Sequence, residues 1–180
     1  MATKRLMAIA LVWFALAGCS QLTVTTDHDR SANFTTLHAY DWRPGPQQGV
    51  NDPRIDSSLI DARVRAAVDR VLTAKGYEKV APGATADFFV GYHAVVLRKT
   101  SVQTINTWYG YRYGGWGWPQ TYAYDYDEGT LLIDVIDPAT MKLLWRGSGT
   151  RIIDVHASAE KRERRINDAV ERILAKFPPS

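Results

Sequence analysis

Four histidines, His28, His38, His93 and His156, are the side chains best suited to hold a metal or move a proton near neutral pH. No two stand three or four residues apart on a helix, the separation that aims two imidazoles at one ion, so they read as surface or strand histidines. A zinc site assembled from distant strands is the alternative. Gly147-Ser148-Gly149 sets a hydroxyl between glycines, but within a strand pattern, not at the strand-to-helix turn that exposes a nucleophilic serine. Its glycines read as a β-bulge. Asp134 and Asp137 would be an acid/base pair for glycan hydrolysis. Their odd spacing places them on opposite faces of a strand, and Asp137-Pro138 begins a turn. Gly110, Gly114, Gly115 and Gly117 precede neither a helix nor a Lys-Ser/Thr pair, so they form no phosphate loop. No catalytic residue, metal or cofactor is predicted.

The stretch WYGYRYGGWGWPQTYAYDYDEG, residues 108–129, concentrates the chain's aromatic surface. Trp108, Tyr109, Tyr111, Tyr113, Trp116, Trp118, Tyr122, Tyr124 and Tyr126 are its candidate binding residues, because Tyr and Trp offer a large stacking area with a polar tip. The tyrosines alternate as strand residues do, and Gly114-Gly115 and Trp118-Pro119 interrupt them. The expected structure is a projecting β-ribbon whose aromatics face each other across the strands. Such a ladder either stabilises the ribbon alone or serves as a contact surface. Trp42 and Trp145 lie in strand patterns and are expected in the core, with a ligand platform as the alternative. Lys161, Arg162, Arg164 and Arg165 put cations in the first half of a helix, against the macrodipole. They read as a solvated face softened by Glu160 with Arg164 and Asp168 with Arg172, or else as a contact for anionic lipid headgroups or an acidic partner.

Cys19 is the only cysteine, and its position carries chemistry of another kind. Lys4 and Arg5 precede an apolar run from Leu6 to Ala17, and small residues follow, the pattern of a secretory signal peptide. About a dozen apolar residues fall short of the roughly 20 that span a bilayer. Leu16-Ala17-Gly18-Cys19 resembles the lipobox of bacterial lipoproteins, which implies cleavage after residue 18 and acylation of Cys19. Two or more acyl chains anchor a protein stably. The same resemblance implies that Ser20 at the following position is compatible with export to the outer membrane, with the domain facing the periplasm; inner membrane and cell surface are the alternatives. With Cys19 committed to lipid, no disulfide remains to hold the fold.

Residues 1–18 are thus read as signal peptide and 19–180 as one domain, since 162 residues suffice for one core and not comfortably for two. The formal charge of +3 falls to +1 without Lys4 and Arg5. A near-neutral chain gives no argument for nucleic acid as a partner.

Alternation predicts strands at 22–26, 36–42, 87–97 (continuing through Val102 and Ile105), 130–137 and 142–155. The strand at 87–97 has so few polar residues that burial on both faces is expected. Helical periodicity predicts helices over 58–75 and 158–176, the first with a capping box at Ser58-Leu59-Ile60-Asp61 and an αL residue at Gly76. The order is ββαβββα, with an aromatic and glycine-rich insert at 106–128. Two amphipathic helices need an apolar surface that a mostly antiparallel sheet supplies, so the expected fold is an α+β two-layer sandwich.

Tyr40-Asp41-Trp42, Gly76-Tyr77, Ala86-Asp87-Phe88, Gly129-Thr130-Leu131 with Ile133-Asp134, Leu144-Trp145-Arg146-Gly147 and Phe177-Pro178-Pro179 together resemble the bacterial lipoprotein family known as domain of unknown function 4136. The resemblance covers about Val24 to Pro179. It implies an envelope lipoprotein with a compact α+β domain and brings no catalytic residues. The expected function is a non-enzymatic, lipid-anchored envelope protein that binds another envelope component. Its membrane contact is the acylated Cys19, and its partner is an unknown envelope protein or glycan. A glycan-binding module that stacks peptidoglycan or lipopolysaccharide sugars on the aromatic segment is the first alternative, and an envelope hydrolase the second.

Overall fold

The computed structural model describes residues 21–45, 57–81, 83–105 and 120–179. Among these residues six strands form one open, mixed sheet in the order β1-β6-β5-β4-β2-β3. They are β1 (Thr23–His28), β2 (Ala39–Trp42), β3 (Glu78–Lys79), β4 (Phe88–Ile105), β5 (Gln120–Ile136) and β6 (Leu143–Ile153). β1, β6, β5 and β4 are mutually antiparallel, whereas β2 runs parallel to both β3 and β4. Helices α1 (Ser58–Ala74) and α2 (Ala159–Leu174) complete the α+β fold.

The register explains why both helices lie on one face. Tyr40 stands beside Phe88, and Val90, Val135 and Trp145 are successive neighbours, so these side chains leave the sheet on the same side. They form one buried cluster with Val64, Val68 and Leu72 of α1 and Val170, Ile173 and Leu174 of α2. No element among the described residues covers the other face. For that reason β4 is not buried on both sides as expected: Phe89, His93 and Val95 are half-buried and Leu97 is exposed.

Several local details differ from expectation for identifiable reasons. Ser57, not Ser58, caps α1, its hydroxyl accepting from Ile60 N–H at 3.3 Å, so the predicted capping box does not form. Gly76 does take the left-handed conformation after the helix, at φ +90°. The predicted second strand is shortened because Asn33 caps a 3-10 turn over Phe34–Thr36. The two-residue β3 is too short to leave a periodic signal. The irregularity in the β5–β6 ladder falls at Val135/Ile136, not at the β6 glycines. Gly147 and Gly149 instead mark a close approach of β6 to α2. A Cβ on Gly147 would stand 2.4 Å from both Ile173 and the Trp145 ring, and one on Gly149 would stand 2.9 Å from Ile173.

Candidate functional site

β4 and β5 stay paired from Phe89 opposite Ile136 to Ile105 opposite Gln120, but β6 accompanies β5 only as far as Asp127 opposite Ile153. Beyond that point Lys99 to Ile105 and Gln120 to Tyr126 form a two-stranded ribbon, about 24 Å long at 3.4 Å per residue. β-branched residues such as Thr100, Val102, Thr121 and Ile105 favour the extended chain here. Polar pairs tie the strands at the base: Lys99 to Glu128, and Thr100 Oγ1 to Asp125 Oδ1 at 2.7 Å. The Glu128 carboxylate holds the Lys99 ammonium above its usual range.

Alternation puts Tyr122, Tyr124 and Tyr126 on one face of this ribbon. Tyr122 is 52% and Tyr124 48% exposed, and the Tyr124 and Tyr126 rings lie 6.2 Å apart. Their cross-strand neighbours are Gln103, Ser101 and Lys99, so for these three the expected facing of aromatics across the strands is replaced by a stripe along one strand. Trp108, Tyr109, Tyr111, Tyr113, Trp116 and Trp118, and Cys19, lie outside the described residues.

The motif residues that carry the family resemblance converge instead on the core. Tyr40 OH and Trp42 Nε1 both donate to Asp69 Oδ1, at 3.0 and 2.9 Å, and Lys79 reaches Asp69 Oδ2 at 2.9 Å. Burial first, and then the Asp69 charge, push the Tyr40 hydroxyl far above its ordinary pKa. Phe177 meets Tyr77, Phe88 and Trp145 at centroid distances of 5.5, 5.9 and 5.2 Å. Asp87 Oδ2 accepts from Ala39 and His38 N–H at 2.8 and 2.9 Å, fixing the start of β2 to the start of β4. Trp42 and Trp145 are buried, at 8% and 0% exposure, so both belong to the core and not to a ligand platform.

The remaining chemical candidates are dispersed or engaged. Arg146 clamps buried Asp134 through two 2.6 Å hydrogen bonds across β5 and β6, with His93 Nε2 3.6 Å away. Asp137 Oδ1 accepts from Ala139 N–H, Thr140 N–H and the Thr140 hydroxyl, contacts that lower its pKa and lock the turn. Ser148 lies mid-strand between Leu132 and Thr25. Among the described residues no group of three or more His, Cys, Asp or Glu is placed to hold a metal, and no helix is long and apolar enough to cross a membrane. In the basic run, Lys161 pairs with Asp154 at 3.6 Å, and Asp168 pairs with Arg151 instead of the expected Arg172, which donates to Leu22 O. Sequence reasoning did not single out Arg151. Its signal was present: it continues the inward alternation of Trp145, Gly147 and Gly149 as the one charged member.

The family model described as "Domain of unknown function (DUF4136)" matches residues 24–179. No curated protein matches the chain. Among solved structures, the chain is similar to a PDZ domain protein from Parabacteroides distasonis, at 10% identity and a TM-score of 0.55, covering 89% of this chain and 37% of that one. It therefore spans little more than a third of that protein. A DUF4136 family protein from Bacteroides thetaiotaomicron is 20% identical with a TM-score of 0.47, covering 87% of this chain and 96% of that one. The PelC dodecamer from Paraburkholderia phytofirmans is 12% identical with a TM-score of 0.47, covering 86% and 96%.

Proposed function

The chain belongs to the DUF4136 family, and from that premise we propose a non-enzymatic, lipid-anchored protein of the bacterial cell envelope. Acylated Cys19 holds it at the outer membrane, and its domain faces the periplasm and binds another envelope component through the β4–β5 ribbon. The observation that carries this reading is the exposed tyrosine stripe on the part of the β4–β5 ribbon that runs beyond the end of β6. A two-stranded ribbon is marginal by itself in water, and large aromatics spent on its surface instead of in the core are typical of contact anchors. The buried motif residues support the domain and leave the exposed ribbon as the recognising part.

Replacing residues 110–125 with a short Gly-Ser linker tests this. The circular dichroism and melting cooperativity of the domain are expected to survive, and crosslinking from a photoreactive residue at position 124 of the unaltered ribbon is expected to capture one defined envelope partner. Loss of folding in the linker variant would make the segment part of the core. The same stripe also suits stacking on sugar rings, which gives the second reading: tryptophan fluorescence that changes with peptidoglycan or lipopolysaccharide fragments would make that partner a glycan.

A further inference from the structure

The strands outrun the helices. α1 and α2 are about 25 Å long at 1.5 Å per residue, and β4 is about 60 Å at 3.3–3.4 Å per residue, so the inner face of the sheet emerges from beneath the helices near the base of the ribbon. There a cavity of about 150 Å³ lies between the sheet and the first halves of both helices. Val64, Ala94, Val96, Leu131, Ile153 and Ile166 give it a hydrocarbon wall. Ala94, Leu131, Ile153 and Ile166 are only half-buried, which leaves the wall short of a covering partner.

Three arginines, Arg151, Arg162 and Arg165, line the same cavity. The Arg151 side chain is 10% exposed; its Nη2 pairs with Asp168, but its buried Nε has no acceptor. The buried Nε of Arg162 has none either. Neither Arg162 nor Arg165 has a carboxylate within ion-pair distance among the described residues, and the lining Asp154 is engaged by Lys161. Buried donors without acceptors are uncommon in folded proteins and call for a partner. A hydrocarbon wall beside two orphaned guanidinium N–H groups is complementary to an amphiphile, with its apolar part against the wall and its anionic oxygens on the arginines.

We propose that this cavity binds a single acyl chain ending in an anionic head, carboxylate or phosphate, with the head held by Arg151 and Arg162. An enclosed apolar cavity of about this volume holds a six-carbon ring; this one is open on one side, so it accepts a chain of roughly eight carbons whose head remains at the arginines. The site is separate from the tyrosine stripe and does not depend on what the ribbon recognises.

Calorimetric titration of the purified full chain with octanoate, octyl phosphate, octanol, acetate and inorganic phosphate provides the test. Octanoate or octyl phosphate is expected to bind at least about tenfold more tightly than octanol, the factor that one charge-assisted hydrogen bond supplies. The tighter of the two identifies a free fatty acid or a phosphate-headed lipid as the source. Ala94→Phe, which fills the cavity from a strand position, is expected to abolish binding. Arg162→Gln, which breaks no ion pair among the described residues, is expected to weaken the anionic ligands about tenfold and leave octanol unchanged. Octanol binding as tightly as octanoate would overturn the head-group assignment, and acetate or inorganic phosphate binding as tightly would reduce the site to an anion site. An Ala94→Phe chain that melts cooperatively yet binds octanoate undiminished would place the ligand elsewhere and overturn the proposal, as would failure of every probe to bind.

Discussion

The indole of Trp145 on β6 lies against the ring of Phe177, with centroids 5.2 Å apart, although Phe177 belongs to the short segment that follows α2. Both side chains are almost wholly buried, and Phe177 also touches Tyr77 and Phe88, so the tail of the chain closes the same aromatic core that the sheet opens.

Trp145→Ala is expected to cost about 3–5 kcal/mol, the usual penalty for truncating a buried large aromatic, out of the roughly 5–15 kcal/mol that holds a domain. Denaturant unfolding measures it. Trp145→Phe should cost clearly less, because the indole Nε1 is buried without an acceptor and phenylalanine removes that orphan donor. A melt unchanged by the alanine substitution would contradict the burial.

Asp69→Ala should destabilise by about 1–3 kcal/mol, since it strips the acceptor from Tyr40 OH and Trp42 Nε1. Asp69→Asn keeps an acceptor oxygen and should cost less. In a double-mutant cycle with Trp42→Phe the two changes should be non-additive; strict additivity would mean that the indole N–H gains nothing from Asp69.

Asp87 predicts a pH dependence. Backbone N–H groups of Ala39 and His38 stabilise its carboxylate and lower its pKa below the ordinary 3.8. Because the folded value is the depressed one, its contribution is fully present above 3.8 and is lost as pH falls through the lower folded value. Asp87→Asn should therefore melt below wild type at neutral pH, and the gap should close in strong acid. A gap that persisted there would show that the charge is not what matters.

Cys19→Ser is expected to abolish lipidation, because no second thiol is present in the chain. The variant should stay unprocessed or be released from membranes by mild washing. Metabolic labelling with a palmitate analogue reads this directly, and an acylated, membrane-retained variant would remove the lipoprotein assignment.

Most of the fold was legible because it is written in periodicity. The three- and four-residue spacing of Val64, Ala67, Val68 and Val71 and the alternation in β6 each repeat often enough to stand above noise. What escaped was set by three-dimensional pairing. β3 exists because Glu78 and Lys79 run beside Ala39 and Tyr40, which no local pattern records. Gly147 was legible as a constrained position, but its cause, the Ile173 side chain arriving from α2, is a long-range fact. The ribbon was legible as an appendage, whereas the strand partners of Tyr122, Tyr124 and Tyr126 depended on a register that the sequence does not display. The cavity was the least legible feature, since it arises from a mismatch in length between strands and helices.

The first described residues lie at the ribbon end of the sheet. Buried Leu22 is pinned by Arg172, which donates to its carbonyl at 3.0 Å, and β1 begins next to it with Thr23 opposite Thr150. Thr150 in turn stands opposite Thr130, and Thr130 opposite Val95, only a few residues from where β4 and β5 leave the sheet. The described chain therefore begins at the same end of the sheet that launches the ribbon. Three residue steps, roughly 10 Å when extended, separate Leu22 from Cys19. On the proposed lipid-anchored reading, the short tether would therefore hold the ribbon end of the sheet, and the tyrosine stripe with it, near the bilayer surface.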